Sequence, residues 1–250
     1  IDAGDAAGLN ALLEPVHGAD IADLIEQLPP HRRREFIRLY SGEIDAEILT
    51  EIDESLREEV IEQLPREVVA EAVREMDTDD VVDLLEDLDP PEREQILAAL
   101  DAEDRVAVEQ SLTYPEYSAG RLMQSEVVTA PQHWTVGETI DFLRREDWLP
   151  DQFYHVILVD PRRHPVGYVT LGRLLSAQRT TRLADIAEDS FRTIGVLQDE
   201  GDVAYAFNQY HLISAPVVDA DDRLVGVITI DDAMGVLDEE HEEDMLRLSG

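Results

Sequence analysis

The chain has 250 residues, with 57 acidic and 20 basic side chains, a formal net charge of −37, 44% hydrophobic residues and no cysteine. A field of that sign repels nucleic acid and anionic membrane surfaces and gathers cations, and the missing thiols exclude a disulfide framework, a thiolate nucleophile and cysteine-containing zinc sites. No stretch approaches the roughly 18 apolar residues of a membrane-crossing helix or resembles a signal peptide, so a soluble chain of two domains is expected.

Residues 1–16 read as a flexible N-terminal segment. An acidic α-solenoid is expected over 17–118, because apolar residues recur twelve apart at Leu28, Tyr40, Ile52, Leu64, Met76, Leu88, Leu100 and Leu112. Four residues before each stands another small or apolar side chain, from Leu24 and Phe36 to Ile96 and Val108. Such i, i+4 pairs mark one helical face. Turn formers and caps follow each repeat residue, among them Pro29, Asp53, Pro65 and Asp89. Each unit is thus a short helix and its turn, unable to bury its stripe alone, and the units stack as antiparallel neighbours.

The acid is concentrated here, with net −23 over residues 1–113 against −14 over 114–250, and every basic residue of the chain is arginine. Asp77, Asp79, Asp80 and Asp83 form the densest group, expected on the solvent side. Asp79 and Asp83 lie four apart on one helical face and repel unless a cation or an arginine sits near. N-terminal acids favoured by the helix dipole are the structural alternative. Acid spread over a whole surface is also how proteins adapt to a salty interior, so total charge alone names no ligand.

Beyond Tyr114 the texture turns β-rich. Strands are expected at 126–130, 154–159 and 166–171 with a helix over 136–145, and again at 191–196, 215–218 and 224–230 with helices near 202–210 and from 231. The two sets superpose at an offset of 59 residues: Val159 on Val218, Asp160 on Asp219, Gly167 on Gly226, Thr170 on Thr229. A tandem duplication follows, with repeat 1 over 119–182, repeat 2 over 183–238, and the start of an acidic helix over 239–250. No phosphate-binding glycine loop, nucleophile elbow or histidine pair at ligand spacing is present, and no enzyme is expected.

The duplicated units resemble a pair of CBS domains, carried by Gly167–Thr170 and by the fuller Gly226-Val-Ile-Thr-Ile-Asp-Asp232. The acidic helical repeat before the pair, the joint Tyr114–Met123 (YPEYSAGRLM) and the terminal run Asp231–Leu248 extend the resemblance to the cytosolic region of the MgtE family of magnesium transporters. That resemblance implies a fold of α plus α/β class: a solenoid of short antiparallel helices followed by a tandem CBS pair. It implies a homodimer joined through the CBS pair, a transmembrane pore domain after Gly250, a place on the cytoplasmic face of the membrane, and closure of the pore when Mg2+ is plentiful. Matched onto this chain, the family's acidic positions are Glu47, Asp79 and Asp83 in the solenoid, Asp232 in the CBS pair, and Glu240, Glu243 and Asp244 beyond it. Three further expected carboxylates are replaced by Gly201, His211 and Gly235, where Asp199, Asp202 or Glu239 stand near. The alternative is an adenine-nucleotide-sensing CBS module, with Thr229 and Asp232 on the ribose and Arg173 breaking the same pattern in repeat 1.

Overall fold

In the first unit the twelve-residue period becomes a run of short helices, each ended by the apolar residue that marks the repeat. The computed structural model describes residues 5–86, 88–150, 152–188 and 191–237, and the chain divides into two units between Glu109 and Gln110. The helices are α1 (Ala6–Leu13), α2 (Gly18–Gln27), α3 (Pro30–Tyr40), α4 (Ala46–Glu51), α5 (Glu54–Gln63), α6 (Arg66–Glu75), α7 (Thr78–Glu86), α8 (Pro90–Ala99) and α9 (Ala102–Ser111). Leu28, Ile52, Leu64, Met76 and Leu100 are C-caps with extended backbone, ψ between 131° and 152°. That conformation straightens the chain into the next N-cap. At one of these, Asp53 accepts the Ser55 backbone N–H at 3.0 Å.

The partners four residues earlier are buried, with Phe36, Ile48, Val60, Ala72, Leu84, Ile96 and Val108 no more than 2% exposed. Leu24 departs from this pattern: it is 37% exposed and the fully buried Ile25 takes its place. Stacking joins helices two apart in sequence, α1 on α3 and α3 on α5, α2 on α4, α4 on α6 and α6 on α8, rather than successive neighbours alone. Residues 6–13, expected within a flexible segment, form a helix capped by Asp5 and anchored by buried Leu13.

The second unit holds α10 (Ala119–Leu122), β1 (Thr129–Pro131), α11 (Val136–Leu143), β2 (His155–Val159), β3 (Pro165–Thr170) and α12 (Leu171–Ser176). Its second half holds β4 (Ile194–Gly195), α13 (Glu200–Tyr210), β5 (Ser214–Val218), β6 (Leu224–Thr229) and helical residues 230–237. Each half forms a three-stranded sheet, β1-β2-β3 or β4-β5-β6, whose first pair is parallel and second antiparallel. Detail repeats with the sequence. Both hairpins shift register at equivalent places, Leu158/Val159 and Val217/Val218. In both turns an aspartate takes two backbone N–H groups, Asp160 from Arg162 and His164, Asp219 from Asp221 and Arg223. These bonds, with that of His164 or Arg223 foremost, hold both carboxyls below the usual range.

The halves exchange their leading segments. α10, which opens repeat 1, donates from Ala119 and Gly120 to the carbonyls of Gln198 and Val196, and Ala119 and Met123 join the core of Val203, Phe207 and Ile228 in repeat 2. Reciprocally, Leu183 and Ala184 donate to Trp134 and Gln132, and Leu183 completes the core of Val156, Val169 and Leu174 in repeat 1. Strand edges follow the same exchange: Gln124 pairs with Val227 on β6 and Glu188 with Tyr168 on β3. Glycine is required at these edges, since a Cβ on Gly167 would lie 2.9 Å from the Glu188 carbonyl and one on Gly226 2.9 Å from that of Gln124. The joint motif is therefore structural in part: Ala119 and Met123 are core residues of repeat 2, and Tyr114 and Leu122 pack against that core.

Candidate functional site

Two of the expected ligands lie on α7, and their environments differ. Asp79 is not on the solvent side: it is 7% exposed, and its carboxylate accepts the Asp80 backbone N–H at 3.0 Å. Asp83, with a side chain 54% exposed, takes Arg57 Nη1 on its Oδ2 at 2.6 Å. The repulsion expected of this acidic face is thus relieved by an arginine.

Arg57 is a product of the repeat. Its Nε donates to the Ile52 carbonyl at 2.8 Å and its Nη2 to that of Thr50 at 3.3 Å, at the end of α4. Arg33 does the same for α2, binding the carbonyls of Ile25 at 3.1 Å and Leu28 at 3.2 Å while its Nη1 takes Glu59 at 2.7 Å. Arg93 caps α7 through the carbonyls of Leu88 at 2.6 Å and Glu86 at 2.9 Å. A helix C-terminus presents unpaired carbonyls and the negative end of its dipole, and a guanidinium fork meets several of them at once where an ammonium offers a point charge. Positions 33, 57 and 93 differ by multiples of twelve, a register visible in the sequence once arginine is tracked alongside the apolar residues.

Glu47 stands in the first turn of α4 with its Oε1 3.2 Å from His17 Nε2, while Nδ1 of the same ring caps α2 by accepting the Ala19 N–H. It borders a cavity of about 510 Å3 also lined by Asn10, Tyr40, Glu43 and Asp45. Burial, then the charges of Glu43 and Asp45, push the Tyr40 phenol up. Among the described residues no group of three or more His, Cys, Asp or Glu side chains could hold a metal ion. Glu47, Asp79 and Asp83 offer oxygen donors of the kind a hard dication takes, and Mg2+ commonly keeps several waters. Such an ion would need one or two carboxylates beside its own hydration shell; the side chains of Glu47 and Asp83 are open to solvent, whereas Asp79, 7% exposed, would have to open first.

In the second unit Asp232 Oδ2 accepts from Thr229 Oγ1 at 2.8 Å and from the Thr229 backbone N–H at 3.3 Å, and the same hydroxyl approaches Asp231. At the equivalent turn of repeat 1, Thr170 caps α12 and Arg173 pairs with Glu188 at 3.0 Å, so a cation stands where repeat 2 has an acid. His155 and Ser214, themselves 59 apart, meet across the repeats with Nδ1 and Oγ 2.5 Å apart, and burial pushes the imidazole down. They border a cleft of about 20 Å3 that Thr229 and Tyr154 also line. That volume accommodates about one water; an adenosine there requires the cleft to open. At the substituted positions, Gly201 lies in the first turn of α13, where Asp199 is engaged as N-cap by the Gly201 and Asp202 amides. His211 ends α13 with a left-handed backbone at φ 53°, and Gly235 is helical, with open space where a Cβ would stand. Glu239, Glu240, Glu243 and Asp244 lie outside the described residues.

Together these features define a class, a helical-repeat domain fused to a tandem CBS pair. The MgtE intracellular N domain family matches residues 16–117, and the CBS domain family matches 119–180 and 184–239. The magnesium transporter MgtE of Thermus thermophilus is 36% identical over 248 residues, 98% of this chain and 55% of that protein. That of Bacillus subtilis is 24% identical over 96% of this chain and 53% of its own length. A crystal structure of the cytosolic domain of the Mg2+ channel MgtE in complex with ATP superposes with a TM-score of 0.85 at 29% identity, covering 94% of this chain and 96% of that one. One of the soluble part of a magnesium transporter gives 0.80 at 27%, covering 94% and 93%. The chain belongs to the MgtE family, with that family's helical N domain and CBS pair, and spans about half the length of these transporters. No helix among the described residues is long and apolar enough to cross a membrane.

Proposed function

We propose that the chain is the Mg2+-sensing, gate-controlling portion of a magnesium transporter. It works as a homodimer joined through its CBS pair at the cytoplasmic face of the membrane, with a transmembrane pore domain following Gly250. The observation that carries this reading is the continuous likeness to the Thermus thermophilus transporter over 98% of the chain. In it, hydrated Mg2+ is held by Glu47, Asp79 and Asp83 of the first unit and by Asp232, Glu240, Glu243 and Asp244 of the second. Without the ion, acidic faces repel; with it, repulsion is cancelled and the closed state gains population. The net charge of −37 supports such a response, because each bound dication removes two units of it.

Small-angle scattering with and without about 10 mM Mg2+, in constant concentrated KCl that screens non-specific repulsion, tests the proposal. Compaction by Mg2+ that is lost in Asp83→Ala/Glu243→Ala is the expected result. A profile indifferent to Mg2+ overturns it. A second reading, sensing of an adenine nucleotide, is favoured by the Thr229–Asp232 pair and by the ATP named with one structural relative. Calorimetric binding of ATP that Asp232→Ala removes, without any Mg2+-dependent compaction, selects it.

A further inference from the structure

We infer that Arg57 is a built-in counter-cation for Asp83 and sets the divalent-cation concentration at which that carboxylate is engaged. The inference rests on the reading of Asp83 as a ligand, and it names what that reading competes against. Arg57 is 8% exposed and held by two carbonyls of the α4 terminus, which fix the direction in which Nη1 is presented. Asp83 meets it at 2.6 Å with a side chain that is still 54% open to solvent. One side of the carboxylate therefore rests on a positive charge that cannot move away cheaply, since leaving would strand the Ile52 and Thr50 carbonyls as well as the guanidinium. A hydrated dication approaching from the open side must share the carboxylate with that charge. Through mostly aqueous surroundings, a unit positive charge about 6 Å from a divalent ion raises the concentration needed by roughly threefold to tenfold.

The fold supplies its own control. Arg33 and Glu59, one layer earlier, form the same pair at 2.7 Å with the same hold on helix-terminal carbonyls. Glu59 is not among the proposed ligands, so removing Arg33 perturbs an equivalent clamp without touching the ion.

The test is an Mg2+ titration of the full chain in constant KCl, followed by calorimetry and by hydrogen exchange of the α7 amides. Arg57→Gln is expected to lower the Mg2+ midpoint by roughly threefold to tenfold. Arg57→Lys, which keeps the charge, and Arg33→Gln should both stay near the parent value. An Arg57→Gln midpoint that is unchanged or raised, while Asp83→Asn raises it, overturns the role of Arg57 and leaves the proposed function standing. An Asp83→Asn midpoint equal to the parent's overturns Asp83 as a ligand and the inference with it. Should Arg57→Gln not fold, the Arg57 guanidinium resonances of the parent chain decide. They are expected to shift at the Mg2+ midpoint, and resonances that stay fixed through the titration overturn the inference.

Discussion

The two units solve the same problem, short elements that cannot bury themselves, by opposite means. The first is joined at helix ends, where a repeated arginine takes the loose carbonyls of one helix and a carboxylate three helices on. The second is joined at strand edges, where each repeat borrows the segment that opens the other. Connections of the first kind are polar, local and placed beside the acid of the surface. Those of the second combine backbone bridges with apolar core residues, and their partners lie from 20 residues apart, at Tyr168 and Glu188, to 103, at Gln124 and Val227. An ion should therefore act on the first unit's connections and leave the second unit's untouched.

The largest effect should come from breaking the exchange. Leu183→Ala, at a fully buried position, is expected to cost about 3 kcal/mol, and hydrogen exchange should quicken in β1–β3 although the residue lies at the start of repeat 2. Acceleration confined to β4–β6 would refute the exchange. Next, Arg33→Gln removes a buried guanidinium with four bonds. A loss of about 2 kcal/mol by urea denaturation, confined to the first unit, is expected. Thr135→Ala removes the capping box that Thr135 and Glu138 form at the start of α11 and should cost about 1 kcal/mol, read as a small drop in the melting temperature.

The smallest is a pH effect at the meeting of the repeats. Because burial lowers the His155 pKa, the unfolded chain binds its proton more readily. Stability should fall as pH drops below about 6.5, the ordinary histidine value, toward the depressed folded one. Urea midpoints at pH 8 and pH 5.5 should converge in His155→Gln; an undiminished difference would assign the effect elsewhere.

The elements of both units are legible in the sequence; the connections between them are less so. The twelve-residue period placed the helix ends because the same residue that fills the core also ends the helix, as at Ile52 and Leu64. The 59-residue offset placed both hairpins, down to paired turns at Asp160 and Asp219. Burial of Asp79 was not legible, since an acidic i, i+4 pair has the same spacing on either face of a helix. Nor was the choice of Ile25 over Leu24, adjacent apolar residues that a small rotation of α2 interchanges. The arginine clamps have a register in the sequence, at positions 33, 57 and 93, but the apolar period alone does not point to it. The exchange of leading segments left no local pattern, because pairing between Gln124 and Val227 depends on a path that short-range periodicity does not describe. Of the seven expected ion ligands, Glu47, Asp79, Asp83 and Asp232 have described surroundings, and only Asp79 and Asp83 share an element.

The exchange of segments also decides how the chain carries load. Ala119 and Met123 are seated in repeat 2 before the backbone goes on to build repeat 1. Tension applied just upstream of Ser118 is therefore borne first by the sheet whose strands are made last. Unseating that anchor would strip apolar residues from repeat 2 while repeat 1 keeps its own core, so under force the two copies of one fold would yield in a fixed order, the later one first.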